Sequence, residues 1–451
     1  MRSTQYITGV VMKKILSLVV AVLLIAVFAV SLVACDDKNG AENAIGEKDA
    51  DKLTIVYLGD SIAEALIGPS PVSERDNYGY YALVGRTNNM RYYNHSVSGH
   101  LTSGGMMDKD AGDGLLQIVN RDDETATQIK THISQADIIH ISVLGNNMLQ
   151  FSLGSLMMEM ADIEQDMTGS DRWFQSCFSG RDNENELRAK YADDKSLFDY
   201  LHDGGSDEVI RPSIWTDYYG DVTFGDEFDG KNAYTKDPTF NFPSTYQNIV
   251  EIVSRLRQLN PSAKIVFQKV YNPVFEGTSL LKAAEYNALA DRGYDTIEKV
   301  RALAQKLLDY LNGIVDEYNE KNPNMQVDVL DINEVFNDYA NTDVDEDGKV
   351  NLSADSRGRS LIYADWTHPS NIGHAIIAGA TQQLLEKWGM ADANAVANYK
   401  AIKRDQIARM YASVNGFDAQ GAYNALDGAS TFDEVTAAYF AAIDGYTPIN
   451  Y

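Results

Sequence analysis

Five short runs of β-forming residues, each followed by a helical pattern, constrain the fold of this chain most strongly. The first run covers residues 53–58 (LTIVYL) and ends in Gly59-Asp60-Ser61. The other four runs cover residues 91–97, 138–143, 264–270 and 327–330. Apolar runs of this length are typical of buried parallel strands. Their alternation with helices predicts an α/β fold whose parallel sheet carries helices on both faces.

Ser61 comes directly after the first predicted strand. Gly59 permits a sharp turn there, which places Ser61 at the carboxyl edge of the sheet, where open α/β folds bind their ligands. A serine at that edge is a candidate nucleophile if a base reaches it. The alternative is that Asp60 and Ser61 only cap a helix beginning at Ile62. The tripeptide alone leaves both interpretations open.

Charge and cysteine content exclude two classes of function. The chain has 65 acidic and 38 basic residues, a net charge of −27. Such a surface repels phosphate backbones, which argues against nucleic-acid binding. Its two cysteines, Cys35 and Cys177, form neither a CxxC motif nor a Cys/His ligand pattern. We therefore expect no structural zinc site.

The amino terminus has the pattern of an export signal. Lys13 and Lys14 precede an apolar run over residues 15–33, which ends in Ala34-Cys35. A short cationic start followed by an apolar run is typical of a secretory signal, here predicted over residues 1–35. A transmembrane anchor is the alternative, since the run is nearly long enough to span a bilayer. Either interpretation predicts an exported protein that is tethered to a membrane.

The end of that run, Leu32-Val33-Ala34-Cys35, resembles a bacterial lipobox. The resemblance implies cleavage before Cys35 and attachment of a diacylglyceryl group to its thiol, and so a lipid-anchored protein at the cell surface. Residues 36–51 are polar and lack periodicity, which predicts a flexible tether.

The remaining chain is predicted to form one main domain with two additions. The domain covers residues 52–390 and contains an insertion at residues 151–241, to which the sequence assigns no clear structure. Residues 391–451 show further helical stretches, whose alanine and tyrosine content predicts a helical extension packed against the domain.

A second chemical motif, Asp365-Trp-Thr-His368-Pro, comes just before a predicted helix. The spacing lets one short loop present a carboxylate beside an imidazole, so that Asp365 holds the ring and His368 accepts a serine proton. Gly99 follows the second predicted strand and Asn146 follows the third. In a parallel sheet all of these positions share one edge. Ser61 would supply the nucleophile, while backbone N–H groups of Ser61 and Gly99 and the Asn146 amide would face an oxyanion.

This arrangement resembles the SGNH hydrolases, also called GDSL esterases. Gly-Asp-Ser-Ile at residues 59–62 matches the family's Gly-Asp-Ser-Leu, Gly99 matches its glycine block, and Asp365-x-x-His368 matches its final block. The resemblance implies a three-layer α/β/α sandwich with a five-stranded parallel sheet, and a serine esterase mechanism that needs no metal or organic cofactor.

The third block departs from the family pattern. The family has Gly-x-Asn-Asp, whereas this chain has Leu144-Gly-Asn-Asn147. Counting from the start of the strand puts Asn146 on the family's oxyanion asparagine, and the other frame puts Asn147 there. We expect Asn146 to be the oxyanion residue.

The acidic stretch from Asp343 to Asp347, followed by Gly348, resembles the start of a calcium loop. Alternate carboxylates with glycine at the sixth position suit a hard cation, but Ala354 occupies the twelfth position, where an acidic ligand belongs. We expect a solvated acidic loop rather than a metal site.

These observations together predict a cell-surface serine esterase that hydrolyses small or carbohydrate-linked acyl esters. Two alternatives keep the same fold. One is an acyltransferase acting on glycans, and the other is a catalytically inactive lipoprotein that binds glycans.

Overall fold

A computed structural model describes the greater part of the chain after residue 51. The described residues are 52–66, 75–103, 114–149, 153–167, 172, 185, 189, 197–203, 244–278, 280–281 and 283–446. The predicted signal, lipobox and tether lie outside these residues, as does most of the predicted insertion, including Cys177.

Five strands form one sheet in the order β2-β1-β3-β4-β5, and every neighbouring pair is parallel. The strands are β1 (Thr54–Gly59), β2 (Arg91–Asn94), β3 (Ile138–Ser142), β4 (Lys264–Gln268) and β5 (Asp328–Leu330). The register aligns Tyr57 with His140, and His140 with Val266. The predicted five-stranded parallel sheet is therefore confirmed.

Helices connect the strands and continue beyond them. They are Arg75–Tyr78, Tyr80–Thr87, Leu115–Asn120, Glu124–Gln135, Leu144–Leu149, Leu153–Glu164, Leu197–Asp203, Thr245–Leu259, Ala283–Asp291, Ile297–Lys321, Ile332–Asn341, Asn371–Trp388, Ala395–Met410, Ala419–Gly428 and Phe432–Ile443. Within the described stretches, none of them is both long enough and apolar enough to cross a bilayer.

The sheet buries both of its faces, which makes the fold a three-layer α/β/α sandwich. Successive side chains of a strand point to opposite faces. Val56 and Leu58 enter a core that includes side chains of helix Ile297–Lys321, whereas Ile55 and Tyr57 enter a core that includes side chains of helix Asn371–Trp388. The predicted α/β/α architecture is confirmed by these two cores.

The carboxyl-terminal helices pack on the second of these cores. Tyr399 and Phe432 stack with ring centroids 3.7 Å apart, and both are buried. The Asn398 amide donates to the carbonyl of Thr87 at 2.9 Å, at the end of helix Tyr80–Thr87. The Asn398 bond joins the extension to the sandwich, and Tyr399 and Phe432 belong to the same apolar core as Leu83 and Ile377 of the sandwich.

Candidate active site

The turn after β1 depends on the absence of a side chain at Gly59. A Cβ there would lie 2.0 Å from the carbonyl oxygen of Ser142 on β3, far inside van der Waals contact. The close approach lets the Asp60 N–H donate to that same carbonyl at 2.9 Å. The chain then forms an irregular turn over residues 61–65 in which Ala65 has a φ of 60°. The helix expected from Ile62 is therefore wrong over these residues, because Ala65 leaves the right-handed helical region.

Ser61, His368 and Asp365 form a continuous chain of hydrogen bonds. Ser61 Oγ is 2.8 Å from His368 Nε2, and His368 Nδ1 is 2.6 Å from Asp365 Oδ2. The two ends of this chain of contacts are more than 300 residues apart in sequence. An imidazole held by a carboxylate on one nitrogen and facing a hydroxyl with the other is arranged to accept the hydroxyl proton.

The loop that carries Asp365 and His368 is ordered by its own backbone. The N–H of Tyr363 donates to the carbonyl of His368 at 2.9 Å, and the N–H of Trp366 donates back to Tyr363 at 3.0 Å. Trp366 has a φ of 66°, which is uncommon for a non-glycine residue and is typical of backbone strain at functional sites.

The carboxylate of Asp365 is stabilised in its charged form. Burial raises the pKa of Asp365. Hydrogen bonds from the His368 ring and from the N–H groups of His368 and Thr367 lower it by more, so the net pKa is below its ordinary value. Asp365 is therefore ionised at neutral pH, as a partner of an imidazole must be.

Gly99 lies in a turn that follows β2 at the same edge of the sheet. Its φ of 83° is in the left-handed region that favours glycine. The preceding residue, Ser98, donates its N–H to Glu64 Oε2 at 2.7 Å, and its hydroxyl contacts the same oxygen. The other oxygen of Glu64 is held by the buried Arg75. Glu64 thus joins the Gly99 turn to the Ser61 turn.

The two asparagines of the third block have different surroundings. Asn146 lines the same cleft as Ser61, and its amide donates to the carbonyl of His100 at 3.0 Å. An amide nitrogen has two N–H groups, and His100 engages one of them. The structure thus brings Asn146 next to the loop of Gly99.

Asn147 lies deeper and is fully buried. Its carbonyl oxygen accepts the N–H of Thr102 at 2.9 Å, while its amide donates to the hydroxyls of Thr102 and Thr245 at 2.9 and 3.1 Å. Both the carbonyl oxygen and the amide nitrogen of Asn147 are thus bonded to protein groups. Asn147 therefore stabilises the fold and does not line the cleft.

Two further titratable groups border the nucleophile. Burial raises the pKa of Asp60 to about 7, although the N–H of Ile62 at 3.0 Å and the nearby His368 oppose the shift. Burial lowers the pKa of His100 to about 4, although Glu64 and the backbone of Gly59 oppose it. His100 is therefore neutral at physiological pH, and its role here is to present its carbonyl to Asn146.

The cleft beside Ser61 is lined mainly by apolar side chains. They are Ile62, Met148, Leu149, Leu153, Val270, Tyr271, Pro273 and Leu280. Asp60, Asn146 and Thr367 add polar groups close to Ser61. The cleft therefore pairs an apolar wall with a polar end at the predicted nucleophile.

Sequence reasoning did not identify three residues that border this site: Glu64, Arg75 and Tyr271. Tyr271 follows β4, and its hydroxyl donates to the carbonyl of Thr367 at 2.6 Å. Its position at the carboxyl end of a strand is a signal that could have marked it. Glu64 and Arg75 carry no such local signal.

The acidic stretch from Asp343 forms a turn whose carboxylates accept backbone N–H groups. Asp343 accepts from Arg357 at 2.6 Å, and Asp345 accepts from Asp347 and Lys349 at 3.0 and 2.9 Å. Across the described parts of the chain, no three His, Cys, Asp or Glu side chains are grouped so that they could hold a metal ion.

Neither a protein-family model nor a curated protein sequence matches the chain. Among solved structures, it is similar to the lipase Lip_vut3 from a goat rumen metagenome, with 14% identity, 74% of this chain and 97% of that chain covered, and a TM-score of 0.35. It is also similar to phospholipase A1 from Streptomyces albidoflavus NA297, with 13% identity, 74% and 99% covered, and a TM-score of 0.34.

A third similar structure is a family two carbohydrate esterase from Clostridium thermocellum, with 11% identity, 75% of this chain and 64% of that chain covered, and a TM-score of 0.33. Similarity at these values does not bear on substrate or activity. The fold assignment rests on the sheet itself, whose strand order 2-1-3-4-5 is the flavodoxin-like one. This strand order, with the motifs at the carboxyl ends of the strands, agrees with the fold that the sequence resemblance to the SGNH hydrolases implied.

Proposed function

We propose that this protein is a serine esterase in which Ser61 forms an acyl-enzyme. The observation that carries the proposal is the continuous contact from Ser61 Oγ to His368 Nε2 at 2.8 Å and from His368 Nδ1 to Asp365 at 2.6 Å. A serine hydroxyl is a weak nucleophile unless an adjacent base removes its proton, and this arrangement supplies the base and the group that orients it.

In the first step, Ser61 Oγ attacks the ester carbonyl carbon while His368 Nε2 takes the hydroxyl proton. Asp365 holds the Nδ1–H and stabilises the imidazolium that results. The tetrahedral intermediate then collapses, the carbon–oxygen bond to the alcohol breaks, and His368 returns its proton to the departing alcohol. The acyl group remains bound to Ser61 as an ester.

In the second step, a water molecule attacks the acyl-enzyme with His368 again as the base. Collapse of the second intermediate releases the carboxylic acid and restores the Ser61 hydroxyl. In both steps we assign the oxyanion to the backbone N–H groups of Ser61 and Gly99 and to the Asn146 amide. Donors fixed before the reaction are the largest source of transition-state stabilisation in such sites.

The cleft supports an uncharged acyl or alcohol group. Its apolar wall, which includes Met148 and Leu153, favours contact with a hydrocarbon or with the apolar face of a sugar over contact with a charged group. We therefore propose small or carbohydrate-linked acyl esters as the substrate class.

We also propose that the protein is exported and anchored by lipid on Cys35. The support is the lipobox-like sequence ending at Cys35 and the polar segment that follows it. Mass spectrometry of the membrane-extracted protein should find a modified cysteine as its first residue. An amino terminus upstream of Cys35 would contradict this proposal.

The test of the enzyme uses purified protein and chromogenic acetyl, butyryl and octanoyl esters. We expect hydrolysis that Ser61→Ala abolishes. Hydrolysis by the variant at the wild-type rate would refute Ser61 as the nucleophile. Two other outcomes would redirect the proposal: acylated product when glycans are supplied would indicate a transferase, and tight glycan binding without turnover would indicate a binding protein.

A further inference from the structure

The loop that carries the predicted acid and base is bonded to the sheet through one tyrosine. The hydroxyl of Tyr271 donates to the carbonyl oxygen of Thr367 at 2.6 Å, across a sequence separation of 96 residues. Tyr271 comes shortly after β4, so the bond joins the loop to the carboxyl end of a strand that lies between β3 and β5.

Tyr271 is itself held in place on several sides. Its side chain is buried, and its ring lies 4.7 Å from the ring of Phe336, measured between centroids. The preceding residue, Val270, donates its N–H to Asn312 at 2.8 Å and accepts from the same amide at 2.9 Å. The Tyr271 side chain is therefore held rigidly with its hydroxyl towards Thr367, as is needed of a residue that supports a preorganised site.

The bond acts on the peptide unit that leads into His368. The carbonyl of that planar unit belongs to Thr367 and accepts from Tyr271, while its N–H belongs to His368 and donates to Asp365 Oδ1 at 3.0 Å. Both ends of one rigid plane are thus bonded, and the plane sets where the His368 side chain begins.

We propose that Tyr271 is a positioning residue for this site. Its hydroxyl fixes the Thr367–His368 peptide, which keeps His368 within reach of Ser61 and Asp365. The inference rests on the proposed function, because it concerns the alignment of the same acid, base and nucleophile.

The hydroxyl stays a donor over the range of an assay. Burial raises the pKa of Tyr271 well above its ordinary value, and the charges of Asp365 and Asp60 raise it further. The effect of its removal is therefore expected at every pH at which the protein is folded.

The experiment compares Tyr271→Phe with Tyr318→Phe in the full chain. Phenylalanine keeps the ring that lines the cleft and removes only the hydroxyl. Tyr318 is the matched control, because it is also buried and its hydroxyl also donates to a backbone carbonyl, that of Met325 at 2.9 Å. Its helix, Ile297–Lys321, packs on the core of the opposite sheet face from Asn371–Trp388.

For Tyr271→Phe we expect kcat to fall about tenfold with KM within about twofold of wild type, because a displaced base slows the reaction without altering the cleft. The rate at which a fluorophosphonate modifies Ser61 should fall in parallel. Tyr318→Phe should keep both rates, with a comparable change in melting temperature.

Three outcomes would overturn the inference. The first is a folded Tyr271→Phe variant that reacts at the wild-type rates. The second is an equal loss of kcat in Tyr318→Phe, since it would indicate that loss of stability, and not the position of His368, slows the reaction. If the wild type showed no hydrolysis that depends on Ser61, the proposed function would fail and this inference with it.

Discussion

Burial of the Asp60 carboxyl group predicts how the stability of the fold depends on pH. Burial raises its pKa from 3.8 to about 7. Between these values the folded chain holds a proton that the unfolded chain has lost, so the free energy of unfolding decreases as pH rises through this window. The stabilisation is complete below pH 3.8 and is lost by the time the pH has passed about 7.

Asp60→Asn should remove this dependence. The two pKa values differ by about 3, and a difference of one corresponds to ~1.4 kcal/mol, so the ionised carboxylate costs roughly 4 kcal/mol in the folded state above neutral pH. Asparagine carries no charge, and its carbonyl oxygen can accept the Ile62 N–H as Asp60 does at 3.0 Å. We therefore expect the variant to be more stable than wild type at pH 8 and nearly equal to it at pH 4.

The assay is urea unfolding of both proteins between pH 4 and pH 9, followed by tryptophan fluorescence. Asp123→Asn is the control, because Asp123 is exposed, caps helix Glu124–Gln135 through the Ala126 N–H, and has a pKa that this bond lowers. The stabilisation that Asp123 contributes is complete above the ordinary pKa of aspartate. The free energy of unfolding of Asp123→Asn should therefore differ from that of wild type by a constant amount above pH 5. A difference between Asp60→Asn and wild type that did not grow with pH would refute the reasoning.

Other substitutions test the roles of single groups. Asn146→Ala should lower kcat by about 10²- to 10³-fold in ester hydrolysis with little change in melting temperature, since it removes an oxyanion donor. Asn147→Ala should instead destabilise the fold by about 1–3 kcal/mol in urea unfolding, because it leaves buried groups unpaired. Lys403→Met should raise the free energy of unfolding at pH 6 but not near pH 10. Burial lowers the pKa of Lys403 to about 7, so the wild-type protein becomes more stable as the pH rises from about 7 towards the ordinary pKa of lysine, and the advantage of the variant disappears. Gly59→Ala should reduce soluble yield and melting temperature, as its Cβ would overlap a β3 carbonyl.

The sheet could be predicted from the sequence because its signals are local. All five runs of β-forming residues became strands, and no strand bound moved by more than three residues. The largest change is in β2, predicted to Val97 but ending at Asn94. The Asn94 amide donates to the carbonyl of Ala63 at 2.8 Å, which ties the end of β2 to the Ser61 turn.

The contacts that align the site are not local and could not be predicted in this way. The bond from Tyr271 to Thr367 and the joining of Ser98 to Arg75 through Glu64 depend on how loops meet in space. The order of Ser61 and His368 along the chain indicated a shared edge, but it gave no distance between them. Counting from the start of the strand favoured Asn146 over Asn147 as the oxyanion residue, but it did not predict that buried threonine hydroxyls engage the Asn147 amide.

The most direct test of the account is the site of covalent modification by a fluorophosphonate, read by peptide mass spectrometry. We predict one adduct on Ser61, formed rapidly in wild type and much more slowly in His368→Ala, because the imidazole activates the hydroxyl across 2.8 Å. An adduct on another serine, or equal rates in the two proteins, would contradict the central claim that Ser61 and His368 act together.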